Sequence, residues 1–196
     1  MPETIFKQFS AGQDRDFSYW EAGTGETIVA IVDSDGCPTP AHALLAEDRR
    51  VIVFAIMTDV GTLNEAAHRI GAAIAQLAVA RFDLMGEGAG AAVALWLVLS
   101  PHAEIGSVVL AAPDGPTDEV FREINRPVLV LSGTKDSSDA SDRYRVVLPQ
   151  GHFMFVYDAG CAIGVERPEA LAFIVREFFE RRSLFLVSRE NGKVFP

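Results

Sequence analysis

Short apolar runs rich in β-branched residues alternate along the chain with longer runs whose apolar positions recur every three or four residues. The short runs predict strands near residues 4–9, 15–21, 27–33, 50–57, 81–86, 106–112, 127–133 and 153–158. Leu63, Ala67, Ile70, Ile74 and Leu77 form a stripe at helical spacing, and Thr62 with Glu65 reads as a capping box ahead of it. Pro168 starts a second clear helix, whose buried stripe is Leu171, Ile174, Val175 and Phe178. Strands that are continuously apolar are buried on both faces, so the pattern predicts an α/β fold with a mostly parallel central sheet of about eight strands and helices on both sides. No repeat, linker or low-complexity segment interrupts residues 1–196, which therefore read as a single domain. Residues 182–196 form a C-terminal extension with Asn191-Gly192 as a hairpin-turn signal between apolar segments.

One turn carries most of the chemical information. Gly86, Glu87, Gly88, Ala89 and Gly90 stand between the strand-like Phe82-Asp83-Leu84-Met85 and the helix-like run from Ala91 to Leu99. A strand that turns sharply into a helix needs small residues and tolerates strained backbone angles, and this is the setting of a nucleophile elbow with glycine at its centre. Three further blocks follow in a set order. Thr27 to Gly36 reads as a strand and loop; Pro127 to Asp136 ends in Gly133-x-x-Asp136; and Phe153 to Glu169 contains Asp158-Ala159-Gly160-Cys161 and Arg167-Pro168-Glu169.

Together these blocks resemble the α/β-hydrolase superfamily over residues from about Phe17 to Phe179. The resemblance implies an α/β-hydrolase fold, and it aligns Gly88 with the nucleophile, Asp136 with the acid and Cys161 with the histidine of a Ser-His-Asp triad. Two of those three positions depart from the pattern. Only residues 113–126 separate two successive strands where many relatives insert a lid, so no cap domain is expected and the mouth above the elbow would be open to solvent. By position the loop after the third strand would supply oxyanion contacts, which makes Asp33, Ser34, Asp35, Glu87 and Ala89 the candidate binding residues. Carboxylates around that point would oppose a developing oxyanion. Cys161 is the replaced histidine position, and free cysteine is commonly a small buried hydrophobe.

The formal charge of −10 with 49% hydrophobic residues argues against nucleic acid or anionic membrane surfaces as partners. No basic stretch followed by an apolar one opens the chain, no run approaches the ~20 apolar residues of a membrane span, and a cytoplasmic location is the expectation. Cys37 and Cys161 match neither a disulfide framework nor zinc spacing. No cofactor or metal is expected: a set of Asp33, Asp35, Cys37, His42 and Cys161 mixes ligand types without a recognisable spacing. Gly86-x-Gly88-x-x-Ala91 also fits the loose dinucleotide fingerprint, but it lies mid-chain among carboxylates that would repel phosphate. His152 reads as the first residue of the last strand; making it the base would require a strand at residues 144–148 and an apolar loop after it.

Three functions from different classes follow. The first is a non-catalytic protein that binds a small ligand or protein partner at the vestigial site. The second is an esterase-like hydrolase acting through a non-standard constellation around Asp136 and Cys161, with Ser34 or Glu87 in attendance. The third is a structural or regulatory subunit of a homo-oligomer assembled through the C-terminal extension.

Overall fold

A computed structural model describes residues 5–11, 17–33, 35–56, 61–100, 104–137, 139–182 and 185. Among the described residues eight strands form one sheet: β1 (Lys7–Ala11), β2 (Phe17–Ala22), β3 (Thr27–Val32), β4 (Arg50–Ala55), β5 (Arg81–Glu87), β6 (Glu104–Ala111), β7 (Val128–Gly133) and β8 (His152–Val156). Their spatial order is β1-β2-β4-β3-β5-β6-β7-β8. The β1–β2 and β2–β4 pairs are antiparallel, and every pair from β4 through β8 is parallel. All eight strands fall where the apolar runs place them, with β1 shifted toward the C-terminus by two to three residues.

Strand β3 shows why the sequence pattern was continuous rather than alternating. Val29 and Ile31 point into one buried layer, whereas Ile28, Ala30 and Val32 point into the other. The first layer packs under α2 (Leu63–Gln76), α3 (Gly90–Val98) and α4 (Ala140–Val147); the second under α1 (Pro40–Leu45), α5 (Ile163–Glu166) and α6 (Pro168–Arg181). Helix α2 begins with the expected capping box: Thr62 Oγ1 accepts from Glu65 N at 3.2 Å, and Glu65 Oε2 accepts from Thr62 N at 2.9 Å. Helix α3 is apolar on every side because it is covered on every side, with seven of its residues buried.

Between β6 and β7 stands a 3₁₀ turn, Glu119–Glu123, so no cap domain is inserted there. Residues 144–148 belong to or adjoin α4 and not a strand, and His152 opens β8, so the reading of His152 as a loop base is excluded. Most of the hairpin expected in residues 182–196 lies outside the described residues. No helix among the described residues is long and apolar enough to cross a membrane.

Candidate functional site

The turn from β5 into α3 is built from backbone hydrogen bonds. Gly88 N donates to Ala111 O on β6 at 3.2 Å, and Gly88 O accepts from Ala91 N at 3.2 Å and from Asp114 N at 2.9 Å. These bonds hold Gly88 at φ +56°, in the left-handed region that side chains disfavour. Gly90 is fixed for a different reason: a Cβ there would stand 2.1 Å from Ile31 O, so only glycine lets α3 start against β3.

Asp33 follows β3 directly. Its carbonyl accepts from Gly36 N at 2.8 Å, closing a tight turn, and its side chain reaches 56 residues along the sequence to the elbow. Asp33 Oδ1 accepts from Ala89 N at 2.7 Å. A Cβ on Gly88 would lie 2.6 Å and 2.7 Å from the two carboxylate oxygens. The carboxylate thus occupies the space that a side chain at the elbow would need, and it engages the amide just past that position.

Glu87, on the other side of Gly88, turns toward α1. Its Oε1 lies 3.0 Å from Nε2 of the fully buried His42. The contact is off line, since neither atom has a hydrogen bond of good geometry within the described residues. Thr39 N donates to His42 Nδ1 at 3.0 Å, and Thr39 Oγ1 lies 3.0 Å from the same nitrogen. With Nδ1 accepting, we assign the ring proton to Nε2, facing the Glu87 carboxylate. His42 therefore completes an N-terminal capping box for α1 and braces Glu87. Neither role was apparent from sequence, although Thr39-Pro40 is a helix-start signal that could have located the cap.

Asp136 and Cys161 sit on two loops that are clamped together. Thr134 N donates to Val156 O at 3.0 Å, Lys135 N to Ala159 O at 2.8 Å, and Asp158 N to Thr134 Oγ1 at 2.9 Å. Lys135 Nζ lies 2.5 Å from Asp158 Oδ1, and this bond holds the Asp158 carboxyl below the usual carboxylate range. Glu166 fixes the backbone around Cys161 by accepting from Gly160 N at 2.9 Å and Ala162 N at 3.2 Å. Asp136 is half-buried, with its N–H donated to Gly133 O at 3.1 Å. Cys161 is exposed, as is Cys37, which corrects the expectation of a buried filler: Glu166 ties the backbone on either side of Cys161 and leaves it at the surface.

Of the candidate binding residues, the structure brings Asp33 and Ala89 into contact beside Gly88 and directs Glu87 to His42. It leaves Asp35 exposed, and Ser34 is outside the described residues. Among the described residues no three His, Cys, Asp or Glu side chains are placed to hold a metal ion.

This architecture matches solved structures over nearly its whole length. A serine hydrolase involved in carbazole degradation superposes with a TM-score of 0.74 at 15% identity, over 91% of this chain and 100% of that one. A carboxylesterase from Bacillus subtilis superposes with a TM-score of 0.74 at 14% identity, over 89% and 91%. This is the α/β-hydrolase fold. A thermophilic esterase from Thermogutta terrifontis agrees, with a TM-score of 0.69 at 15% identity over 90% and 98%. At such identities the likeness is one of fold, and function is argued from the residues on that fold. No family model matches the chain, and no curated protein matches it in sequence.

Within the α/β-hydrolase fold the turn after β5 carries the nucleophile, and the amide after that residue helps hold the oxyanion of the tetrahedral intermediate. In this chain the turn from β5 into α3 holds Gly88, which carries no side chain, and the amide of Ala89 is engaged by Asp33.

Proposed function

We propose that this chain is a non-catalytic protein of α/β-hydrolase fold, acting as one unit over residues 1–196, which binds a small polar ligand or a protein partner at the mouth above Gly88. The reading is carried by Asp33, whose carboxylate accepts the Ala89 N–H and fills the space of a side chain at position 88. An acyl-transfer enzyme must place a developing negative charge near that amide. A carboxylate already there opposes a second charge. Gly88, Asp136 and Cys161 stand as the vestigial triad positions, with neither a hydroxyl to attack nor an imidazole to take its proton. Loss of nucleophile or base alone lowers turnover by about 10⁶ in a measured serine protease. Asp33, Asp35, Glu87 and Ala89 are the binding residues, and their carboxylates favour a ligand that presents hydrogen-bond donors over one that presents an anion.

The test is direct. Purified protein should not turn over short-chain p-nitrophenyl esters above the buffer rate, and a serine-directed fluorophosphonate should leave its intact mass unchanged. Saturable turnover, or a stoichiometric adduct on any serine near the elbow, overturns the reading.

A further inference from the structure

The crevice between the ends of β3 and β5 carries carboxylates without counter-ions. From β3 the chain runs to its neighbour β4 and then crosses back to β5 on the other side, so the loops after β3 and β5 diverge at this point. Parallel sheets bind ligands at such a reversal, outside the carboxyl ends of the strands. Asp33 and Asp35 follow β3, and Glu87 ends β5. Among the described residues, none of these three carboxylates lies within ion-pair distance of a lysine or arginine. The other end of the sheet differs: Glu26 and Glu180 meet Arg49, Glu21 meets Arg50, and Asp83 stands 4.0 Å from Arg182. Charge alone does not make a site, and a second feature marks this one. His42 is fully buried, and its Nε2 is aimed at Glu87 Oε1 from 3.0 Å without a hydrogen bond of good geometry to any group. A buried ring nitrogen and a buried carboxylate oxygen left in that state are costly, and a small turn of the carboxylate would bring them into line.

We propose that Glu87 holds the primary ammonium group of a ligand through Oε2, with His42 as the positioning residue that takes Oε1. The proposal rests on the binding reading above and names the chemistry of its ligand. Oε1 is the buried oxygen of this carboxylate, and 16% of the side chain stays exposed, which leaves Oε2 for the ligand. Thr39 Oγ1 lies on the same side, since a Cβ on Gly164 would stand 2.7 Å from it and 3.4 Å from Glu87 Oε2. An ammonium has three N–H donors and no acceptor, which suits one carboxylate oxygen beside a hydroxyl. A guanidinium makes its strong contact through both oxygens of a carboxylate, and here Oε1 faces His42. A quaternary ammonium has no N–H to donate. Asp33 and Asp35 add to the field that draws a cation to the crevice. The group can belong to a free amine or to a lysine side chain of a protein partner, because both present the same donors.

Titration of the full chain at constant ionic strength, followed by heteronuclear NMR, tests this. n-Butylammonium should shift the Gly88 and Ala89 amides and the His42 ring nitrogens along one saturable curve. n-Butylguanidinium should bind about tenfold more weakly, and tetramethylammonium should give no saturable shift. Glu87→Gln, with its fold checked by urea unfolding, should weaken n-butylammonium by about tenfold or more, whereas Asp35→Asn at an exposed position should weaken it by less than about threefold. The three cations on the unmodified chain decide the matter even where a variant is unstable. Tighter binding of spermidine than of n-butylammonium assigns the group to a free polyamine, and tighter binding of an acetylated, amidated Gly-Lys-Gly peptide assigns it to a protein. Equal shifts from n-butylammonium and tetramethylammonium, guanidinium binding as tight as ammonium binding, or affinity unchanged in a folded Glu87→Gln overturn the proposal. Any of these leaves the absence of ester turnover untouched, so the two readings fail separately.

Discussion

The contact between Asp33 and Gly88 makes a quantitative prediction about Gly88→Ser. A Cβ at that position would fall 2.6 Å, 2.7 Å and 3.0 Å from Oδ2, Oδ1 and Cγ of Asp33, all inside van der Waals contact. The carboxylate is the free end of an exposed side chain, so it swings away rather than forcing the backbone to move. Two costs follow. Placing a side chain at φ +56° costs about 1–2 kcal/mol. Displacing Asp33 breaks its bond to Ala89 N, and because that bond is solvent-exposed its loss costs about 1 kcal/mol, as for an ordinary hydrogen bond and below the range for buried charged acceptors. Gly88→Ser should therefore destabilise the protein by about 2–3 kcal/mol, and Asp33→Ala by about 1 kcal/mol. The double variant should be no worse than Gly88→Ser alone, because the serine has already broken the bond that Asp33→Ala removes. Urea unfolding midpoints of the four proteins, with unchanged slopes, give the coupling as about 1 kcal/mol. Strict additivity, with Asp33→Ala still costing its full amount in the serine background, would show that Asp33 does not occupy the elbow and would remove the observation on which the binding reading stands.

Thr62→Ala should cost about 1 kcal/mol, because it deletes the hydroxyl that accepts Glu65 N at the start of α2; urea midpoints check it, and Thr62→Ser should restore most of the loss. Asp83 is 7% exposed, and burial raises its pKa against the opposing effects of Arg182 and the Ser107 N–H. A raised carboxyl pKa means that this group's contribution to stability is fully present below its unfolded pKa and is lost as pH rises through the folded value. Wild type should accordingly gain on Asp83→Asn as pH is lowered from 7 to 4, and a stability difference that stays flat with pH refutes the assignment. Cys37 and Cys161 are both exposed, so Ellman's reagent should titrate two thiols per native chain without denaturant, whereas a count of zero or one would mean that one of the loops is closed over its cysteine.

What could be read from the sequence was whatever depends on near neighbours. The parallel strands were legible because burial on both faces leaves them uniformly apolar, and α2 because a capping box and a 14-residue amphipathic stripe agree. Helix α1 was not, since six residues are too few to show periodicity. Helix α4 was hidden for another reason: Ala140–Val147 carries Asp142, Arg143 and Arg145 on its wet side and turns the polar Ser141 inward to Ser132 of β7, and the polar residues before it read as loop. At the candidate site the glycines announced the sharp turn, but the partners did not announce themselves. Asp33 lies 56 residues from the amide it binds, and His42 lies on a different element from Glu87. Sequence could place carboxylates near the elbow. Only the crossover from β3 to β5 decides that one of them takes the amide and that the other turns inward.

The turn after β5 keeps its shape without help from the side chain at position 88. Every bond that holds Gly88 runs between backbone atoms: its N–H to Ala111 O, and its carbonyl to Ala91 N and Asp114 N. Gly90 is required because α3 starts against Ile31 O, a demand of packing that is indifferent to chemistry. The strained turn is thus set by the β5–β6 register and the approach of α3 to β3, and neither depends on a hydroxyl at position 88. Removing the side chain there relieves backbone strain, since glycine accepts φ +56° freely. It also opens the space that the Asp33 carboxylate fills. Glycine at 88 and aspartate at 33 therefore support each other, and a serine placed at 88 must contend with both the backbone angle and the charge.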